Sequence, residues 1–317
     1  MAAAATTLER IESFYPQRSV PIAELAGTLG LTRAKVEVFR KIYGLDSIRS
    51  DPEMGLFDLV LPAARRALAT VAQPSRIRRV IFAHTTQELT PAGTDAARVL
   101  RDALGLRHSD AFALSQQNCA SGLAAIDVAA TLLRADGEPG DRALVVTGER
   151  AFSPVVQLIP NTSVMGDAAA ACVVAIGGTG DTVDSYVTRT LGEFSDAMLL
   201  DEEGTRQFGL RYAPVLAEVM LAALSDAGLD FDDVELVIPH NVNVFSWRAT
   251  IKELKARREQ FFLDNIKHFS HCYASDVFVN YTTLRDAGRL VDGGHYLLAS
   301  VGLGATFAAM AITHQGR

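Results

Sequence analysis

Cys119 stands where a strand-like run, Ala111 to Gln117, gives way to an alanine-rich helical run, Ala120 to Arg134. A thiol in the first turn of a helix faces unpaired backbone N–H groups and the positive end of the helix dipole. Both favour the thiolate, which is the attacking form. Asn118, Ala120, Ser121 and Gly122 leave room for a substrate carbonyl to approach. A second reading stays open, in which a free cysteine simply fills a tight strand–helix corner. Two histidines bear on the choice. His240 follows the strand-like run Val234 to Pro239, and His271 lies in the corner Ser270-His271-Cys272-Tyr273, ahead of a helical run, Asp276 to Ala287. One histidine at a strand end is usually structural. Two of them with a helix-capped cysteine, all at carboxyl ends of strands, tip the balance towards catalysis. His84, His108, His268, His295 and His314 lack such company and read as structural or exposed. Cys172, inside the apolar run 169–176, reads as core.

The elements that must bring these residues together alternate between strand and helix patterns. In the first half they are strand 79–86, helix 93–104, strand 111–117, helix 120–134, strand 143–148 and strand 169–176. In the second half they are helix 212–229, strand 234–239, helix 246–258, strand 261–269, helix 276–287, strand 295–300 and strand 306–313. This order implies an α/β fold with mixed or parallel sheets covered by helices. The two halves read as copies of one unit, which pairs the Cys119 corner with the His271 corner. Ligands gather beyond the carboxyl ends of such strands, so a pseudo-twofold arrangement would bring Cys119, His240 and His271 to one pocket.

Bulk properties narrow the class. The 317 residues allow two ordinary domains or one large one; 49% are hydrophobic and 21% charged, as in a globular protein. A net charge of −7 argues against a nucleic-acid groove. No apolar run approaches the ~20 residues of a membrane span, and the start lacks the basic and apolar regions of a secretory signal. Three cysteines without a disulfide-like framework suit a reducing cytoplasm.

Four segments together resemble the thiolase superfamily, in its ketoacyl-acyl-carrier-protein synthase III branch: Asn118-Cys119-Ala120-Ser121-Gly122, Met165-Gly166-Asp167-Ala168, Val237-Ile238-Pro239-His240-Asn241-Val242-Asn243 and Gly302-Leu303-Gly304-Ala305. The resemblance covers nearly the whole chain. It implies a thiolase-like, five-layered, duplicated α/β fold whose halves are residues 1–176, with the nucleophilic cysteine, and 177–317, with both histidines. It implies an acyltransferase that takes an acyl group from coenzyme A or an acyl carrier protein onto Cys119, with His240 and His271 as its partners. The backbone N–H groups of Cys119 and Leu303 would hold the oxyanion. Leu89, Asn241, Asn243, Gly302 and Gly304 would shape the substrate pocket, Leu89 by crossing to the other subunit of a homodimer. Arg248, Lys252, Lys255 and Arg257 would dock an acidic carrier; the plainer reading of that run is a solvated helix face with Glu253 paired to Arg257. The implied reaction needs no metal and no cofactor beyond the donor's own thioester.

One position departs from the family pattern. His271 occupies the corner where the family usually places asparagine, and the closing glycine loop lacks the second cysteine of true thiolases. With His240, His271 could donate hydrogen bonds to a malonyl thioester and support decarboxylative condensation in fatty-acid or polyketide biosynthesis, the preferred reading. Unlike asparagine, it could also accept a proton. That would allow acyl transfer to a hydroxyl or amine in a natural-product pathway. A non-catalytic subunit of a heterodimer is the remaining alternative.

Overall fold

The computed structural model describes residues 4–316; residues 1–3, part of the start read above for a secretory signal, and residue 317 lie outside the described residues. A nine-stranded mixed sheet is built from β1 (Thr6–Phe14), β2 (Ile77–Ala83), β3 (Asp110–Leu114), β4 (Arg142–Glu149), β5 (Ala168–Ile176), β6 (Asp181–Thr190), β7 (Val234–Pro239), β8 (His295–Gly302) and β9 (Thr306–Thr313). Their spatial order is β7-β8-β9-β6-β1-β5-β4-β2-β3. The duplication is visible in the pairing. β2 and β4 run parallel, as do β7 and β8; two antiparallel steps follow in each half, β4–β5–β1 and β8–β9–β6. A short antiparallel contact, Thr6 to Leu8 against Asp181 to Val183, joins the halves.

Helices complete five layers. On the outer face of the first half lie α1 (Leu56–Ala69) and α2 (Ala96–Ala103), packed on β2, β4 and β5. Between the halves lie α3 (Ser121–Asp136) and α6 (Asp276–Asp286), sharing one core with strands of both. On the outer face of the second half lie α4 (Glu202–Asp226) and α5 (Val244–Leu254). A helix buried on most sides must be slim and apolar, which accounts for the alanine-rich sequence of α3. β5, covered on both faces, is likewise an unbroken apolar run, AAAACVVAI. α4 has the length and hydropathy of a membrane span, which the sequence reading did not find. Its Val215, Leu216, Val219, Met220, Ala223 and Leu224 are instead buried in the protein core.

Three expectations need correction. The run 261–269 is not a strand: Phe261 makes an isolated bridge to Val237, and the chain then turns through one helical turn, Ile266–Phe269. Asn265 draws it away from the sheet edge, because its amide donates to Asn280 Oδ1 and Thr283 Oγ1 on α6. Among the described residues the second half therefore has no counterpart of β3. α4 begins at Glu202 rather than at 212, since Asp201 caps it by accepting from Gly204 N and its first turns are polar. α5 stops at Leu254, where Lys255 takes a left-handed conformation. Glu253 and Arg257 therefore share no helix, and no ion pair forms between them.

Candidate active site

The two central helices begin side by side, and this brings the cysteine and histidine corners together. Asn118–Ala120 form a 3-10 turn that leads into α3, with Cys119 buried at 5% exposure. Gly122, the second residue of α3, touches the start of α6: a Cβ there would sit 2.7 Å from the carbonyl oxygen of Ala274 and 2.7 Å from the ring of Phe278. From the other side, the β8–β9 turn presses on the same corner. A Cβ on Gly302 would lie 1.9 Å from the Gln117 carbonyl, Ser300 Oγ donates to the Cys119 carbonyl at 3.0 Å, and Asn118 Nδ2 donates to the Leu303 carbonyl. The His271 backbone is clipped in turn by Val164 and Gly166: His271 N donates to Val164 O at 3.3 Å and Gly166 N to His271 O at 2.8 Å.

The sulfur has two polar neighbours. Thr85 Oγ1 lies 3.8 Å from Cys119 Sγ, and His271 is near enough for the same sulfur to raise the proton affinity of its ring. Glu149, fully buried, fixes the Thr85 loop by accepting from the backbone N–H groups of Thr85 and Thr86; burial pushes its carboxyl up against those hydrogen bonds. Behind His271 stands Asp276, 1% exposed. Its Oδ2 meets His271 Nδ1 and accepts from Asn241 N at 2.6 Å; its Oδ1 accepts from Cys272 N at 2.7 Å. Burial opposes charge on His271, but the Asp276 carboxylate and the Cys119 sulfur outweigh it and push the imidazole up to about 10.

His240 has different surroundings. It is 1% exposed, its ring centroid lies 5.6 Å from that of His271, and its Nε2 faces Tyr212 OH at 3.2 Å. Its Nδ1 is buried without a partner. Burial and the neighbouring His271 hold it well below the usual histidine range, so it is neutral. Tyr212 comes from α4 and is steadied by the rings of Phe208 and Phe307. Burial, then Cys119, pushes its phenol upward, so it is a neutral hydroxyl.

A cavity of about 320 Å³ reaches Cys119, bordered by Val155, Val156, Ile159, Met165, Met198 and Leu199, with Thr85, Asn118, Tyr273 and Leu303 near the sulfur. Neither histidine lines it. Nor do the other expected pocket residues, Leu89, Asn241, Asn243, Gly302 and Gly304. Asn241 is fully buried, with Oδ1 accepting from Asn280. Asn243 caps α5 by accepting from Ser246 N. Gly302 and Gly304 shape the turn beside Asn118. Leu89 belongs to a separate hollow with Pro91 and Phe152. Arg248, Lys252, Lys255 and Arg257 are exposed. Among the described residues no group of three His, Cys, Asp or Glu side chains converges to hold a metal. Asp276, Glu149 and Tyr212 escaped the sequence reading; only the acid in the first turn of a helix following a histidine hinted at any of them.

Comparison with known proteins identifies the family and the fold. Residues 224–314 match the model of the C-terminal part of 3-oxoacyl-[acyl-carrier-protein] synthase III. Over 95% of this chain and 97% of its counterpart, the sequence is 31% identical to the beta-ketoacyl-[acyl-carrier-protein] synthase III of Rhizorhabdus wittichii. Among solved structures, the acyltransferase ChlB3 shares the fold with a TM-score of 0.83 at 18% identity over 98% of each chain. The 3-oxoacyl-[acyl-carrier-protein] synthase III of Aquifex aeolicus does so at 0.81 and 20%, over 98% of this chain and 100% of that one. An OleA variant of Xanthomonas campestris does so at 0.82 and 20%, over 98% and 97%. With a buried cysteine and two histidines at the expected corners of this fold, the chain belongs to the thiolase superfamily, in its ketoacyl-acyl-carrier-protein synthase III-like branch, and is a cysteine-dependent condensing or acyl-transfer enzyme.

Proposed function

We propose that the protein loads an apolar acyl group from a coenzyme A or carrier-protein thioester onto Cys119 and passes it to a second substrate. The observation that carries this is Cys119 lining an apolar cavity, with Thr85 Oγ1 3.8 Å from its sulfur and the Asp276-paired His271 close by. The cavity lies at the small end of the ~300–1,000 Å³ usual for small-molecule sites, which suits a short or medium acyl chain. Backbone N–H groups of Cys119 and Leu303 stabilise the tetrahedral oxyanion; such donors contribute about 3 kcal/mol each in a site closed to water. The exposed cations Arg248 and Lys252 on α5, with Lys255 and Arg257 just past its end, line one side of an acidic carrier's approach, and Phe245, 56% exposed, adds an apolar contact on α5. A homodimer lets Leu89 and Phe152 close the partner's cavity. The halves divide between β5 and β6, near residue 176.

Incubation with octanoyl-coenzyme A and intact-protein mass spectrometry test this reading. One acyl group is expected on Cys119 and none on Cys119→Ala; persistent labelling of that variant sinks it. Condensation with a malonyl thioester is the second reading, favoured by the 31% identity to a protein named as a ketoacyl synthase. It requires carbon dioxide release from malonyl-coenzyme A by the acylated enzyme.

A further inference from the structure

Resting on an acyl-enzyme at Cys119, we infer that Tyr273 sets the breadth of the acyl group the cavity accepts, so that the protein takes straight chains and turns away chains branched beside the carbonyl. Tyr273 stands two residues beyond His271 in the same corner. It is 3% exposed, and it lines the cavity that reaches Cys119. An acyl group on Cys119 begins at the sulfur. The residues that border the sulfur therefore meet its first carbons, and the rest of the apolar lining meets its tail. Tyr273 is the bulkiest of those near the sulfur, the others being Thr85, Asn118 and Leu303.

The hydroxyl of Tyr273 acts on the facing wall. It donates to the Val156 carbonyl at 2.7 Å. Burial first, then Glu149, Asp167 and the Cys119 sulfur, push the phenol up, so it stays a neutral donor. Val156 belongs to a single helical turn, Pro154–Gln157, and Val155, Val156 and Ile159 all border the cavity. One turn of helix is too short to hold itself, so its outside ties decide where it stands. A second tie runs from Met165 N to Gln157 O at 2.7 Å, and Met165 in turn bridges to His271. The wall is thus fastened twice to the corner that bears the histidine.

The backbone carries the same signature. Tyr273 has φ of +52°, in the left-handed region that bulky side chains rarely enter. Such a conformation persists where the surroundings over-determine it. Here the ring is held between the Val156 carbonyl and the His271 imidazole, whose plane it follows to within 29° at 6.4 Å between centres. Glycine or asparagine would take this backbone more easily, but neither would fill the cavity or reach Val156. Protein interiors are close-packed, so a fixed ring and a fastened wall cannot yield to the width of a methyl group. A methyl on C2 of the acyl chain projects sideways towards the ring. Carbons added at the far end only lengthen the chain along the apolar lining.

The test offers butanoyl-, 2-methylbutanoyl- and octanoyl-coenzyme A and follows acyl-Cys119 by intact-protein mass spectrometry. Loading exchanges the donor's C–S bond for one to Cys119 and frees coenzyme A as a thiol, so a distinct mass increase reports each donor. Wild type should load butanoyl about 10- to 200-fold faster than 2-methylbutanoyl, the usual range for one methyl group in an apolar pocket. Tyr273→Ser should lower that ratio about fivefold or more. Tyr273→Phe, which keeps the ring and frees the wall, should lower it by a smaller factor. Val156→Ala should lower it from the wall side, and it stands in for Tyr273→Ser if that variant does not fold. In each variant the octanoyl-to-butanoyl ratio should move less than the branched-chain ratio. A tyrosine that only braced the corner would slow all three donors alike and leave both ratios where they were. The inference is overturned by folded variants that keep the wild-type ratio, or by wild type that loads 2-methylbutanoyl as fast as butanoyl. Failure of wild type to take up any of the three on Cys119 would sink the reading beneath it instead.

Discussion

Replacing Gly122 by alanine tests whether the close approach of α3 and α6 sets the catalytic geometry. The added methyl would meet the Ala274 carbonyl oxygen and the Phe278 ring, each at 2.7 Å, and Thr147 Cγ2 at 3.3 Å. Ordinary contact begins near 3.4 Å, so the helix starts must separate by several tenths of an ångström. The backbone oxygen cannot rotate away. Overpacking of this kind costs about 1–3 kcal/mol, and alanine returns up to about 1 kcal/mol in helix propensity. A net loss of up to about 2 kcal/mol follows with the propensity gain counted in full, each kcal/mol lowering the melting temperature by roughly 2–4 °C on the scale of larger domains. The functional loss should exceed the loss of stability. Cys119 is three residues from Gly122, and His271 is three residues from Ala274, so separating the helices draws the sulfur from the imidazole. Misplacement approaching 1 Å slows reactions by about 10²-fold, and octanoyl loading followed by mass spectrometry should show 10- to 100-fold slower acylation. Phe278→Leu should relieve the side-chain half of the clash and leave the backbone half, giving a coupling of about 0.5–3 kcal/mol in a double-mutant cycle. A Gly122→Ala protein that melts higher and loads at the wild-type rate would falsify the claim that this contact places the site.

Three further outcomes follow from the buried groups. Stability should peak near pH 6.5 and fall on both sides. His271 keeps its proton to about 10 in the fold but to about 6.5 unfolded, so its contribution is complete below 6.5 and drains as pH rises from there to about 10. His240 stays neutral where the unfolded chain takes up a proton, so stability is also lost as pH falls below 6.5. Each limb has a slope of up to about 1.4 kcal/mol per pH unit, measurable by thermal melts; a flat profile from pH 6.5 to 9 would contradict the assignment. Iodoacetamide at neutral pH should label Cys119 alone, because burial pushes the Cys172 and Cys272 thiols far up; peptide mapping that finds Cys272 modified in folded protein would refute this. Tyr212→Phe should cost about 1–3 kcal/mol, since it leaves His240 buried with both ring nitrogens unpaired. An unchanged melting temperature would mean that the hydroxyl does not satisfy that ring.

What the sequence made legible was pattern that serves itself. β7 and β9 have the bounds read from their apolar runs, and β5 differs by one residue, because strands covered on both faces advertise themselves. β1 gave no such pattern, although it is the strand at which the halves meet. Its sequence, TTLERIESF, carries Glu9, Arg10 and Glu12. Glu9 is matched by Arg142, and Glu12 by Arg10, Arg66 and Arg285; three of those four partners lie on other elements and could not be paired with it from sequence spacing. Cys119, His240 and His271 were legible for their residue types at element ends. Asp276, Glu149 and Tyr212 were not, because an acid opening a helix, an acid closing a strand and a tyrosine inside a long helix are ordinary until the fold sets each against a partner.

The two central helices use one piece of physics twice, with different side chains. At the start of α3 the free N–H groups and dipole favour negative charge on Cys119; at the start of α6 they favour negative charge on Asp276, which also accepts from Cys272 N. Between these two positions lies one imidazole that both side chains pull towards its protonated form. An asparagine at position 271 could donate to the sulfur, but it could neither carry the positive charge that this arrangement calls for nor give a proton to a leaving thiolate. Histidine at 271 and aspartate at 276 are therefore one feature rather than two. His271→Asn should leave Asp276 buried without its cation, a change that costs about 3–5 kcal/mol. The double variant His271→Asn/Asp276→Ser removes the charge as well as its partner. It should recover much of that stability while remaining unable to load octanoyl from coenzyme A at the wild-type rate. If the single and double variants melt at the same temperature, the two residues act separately and the coupling argued from their geometry is wrong.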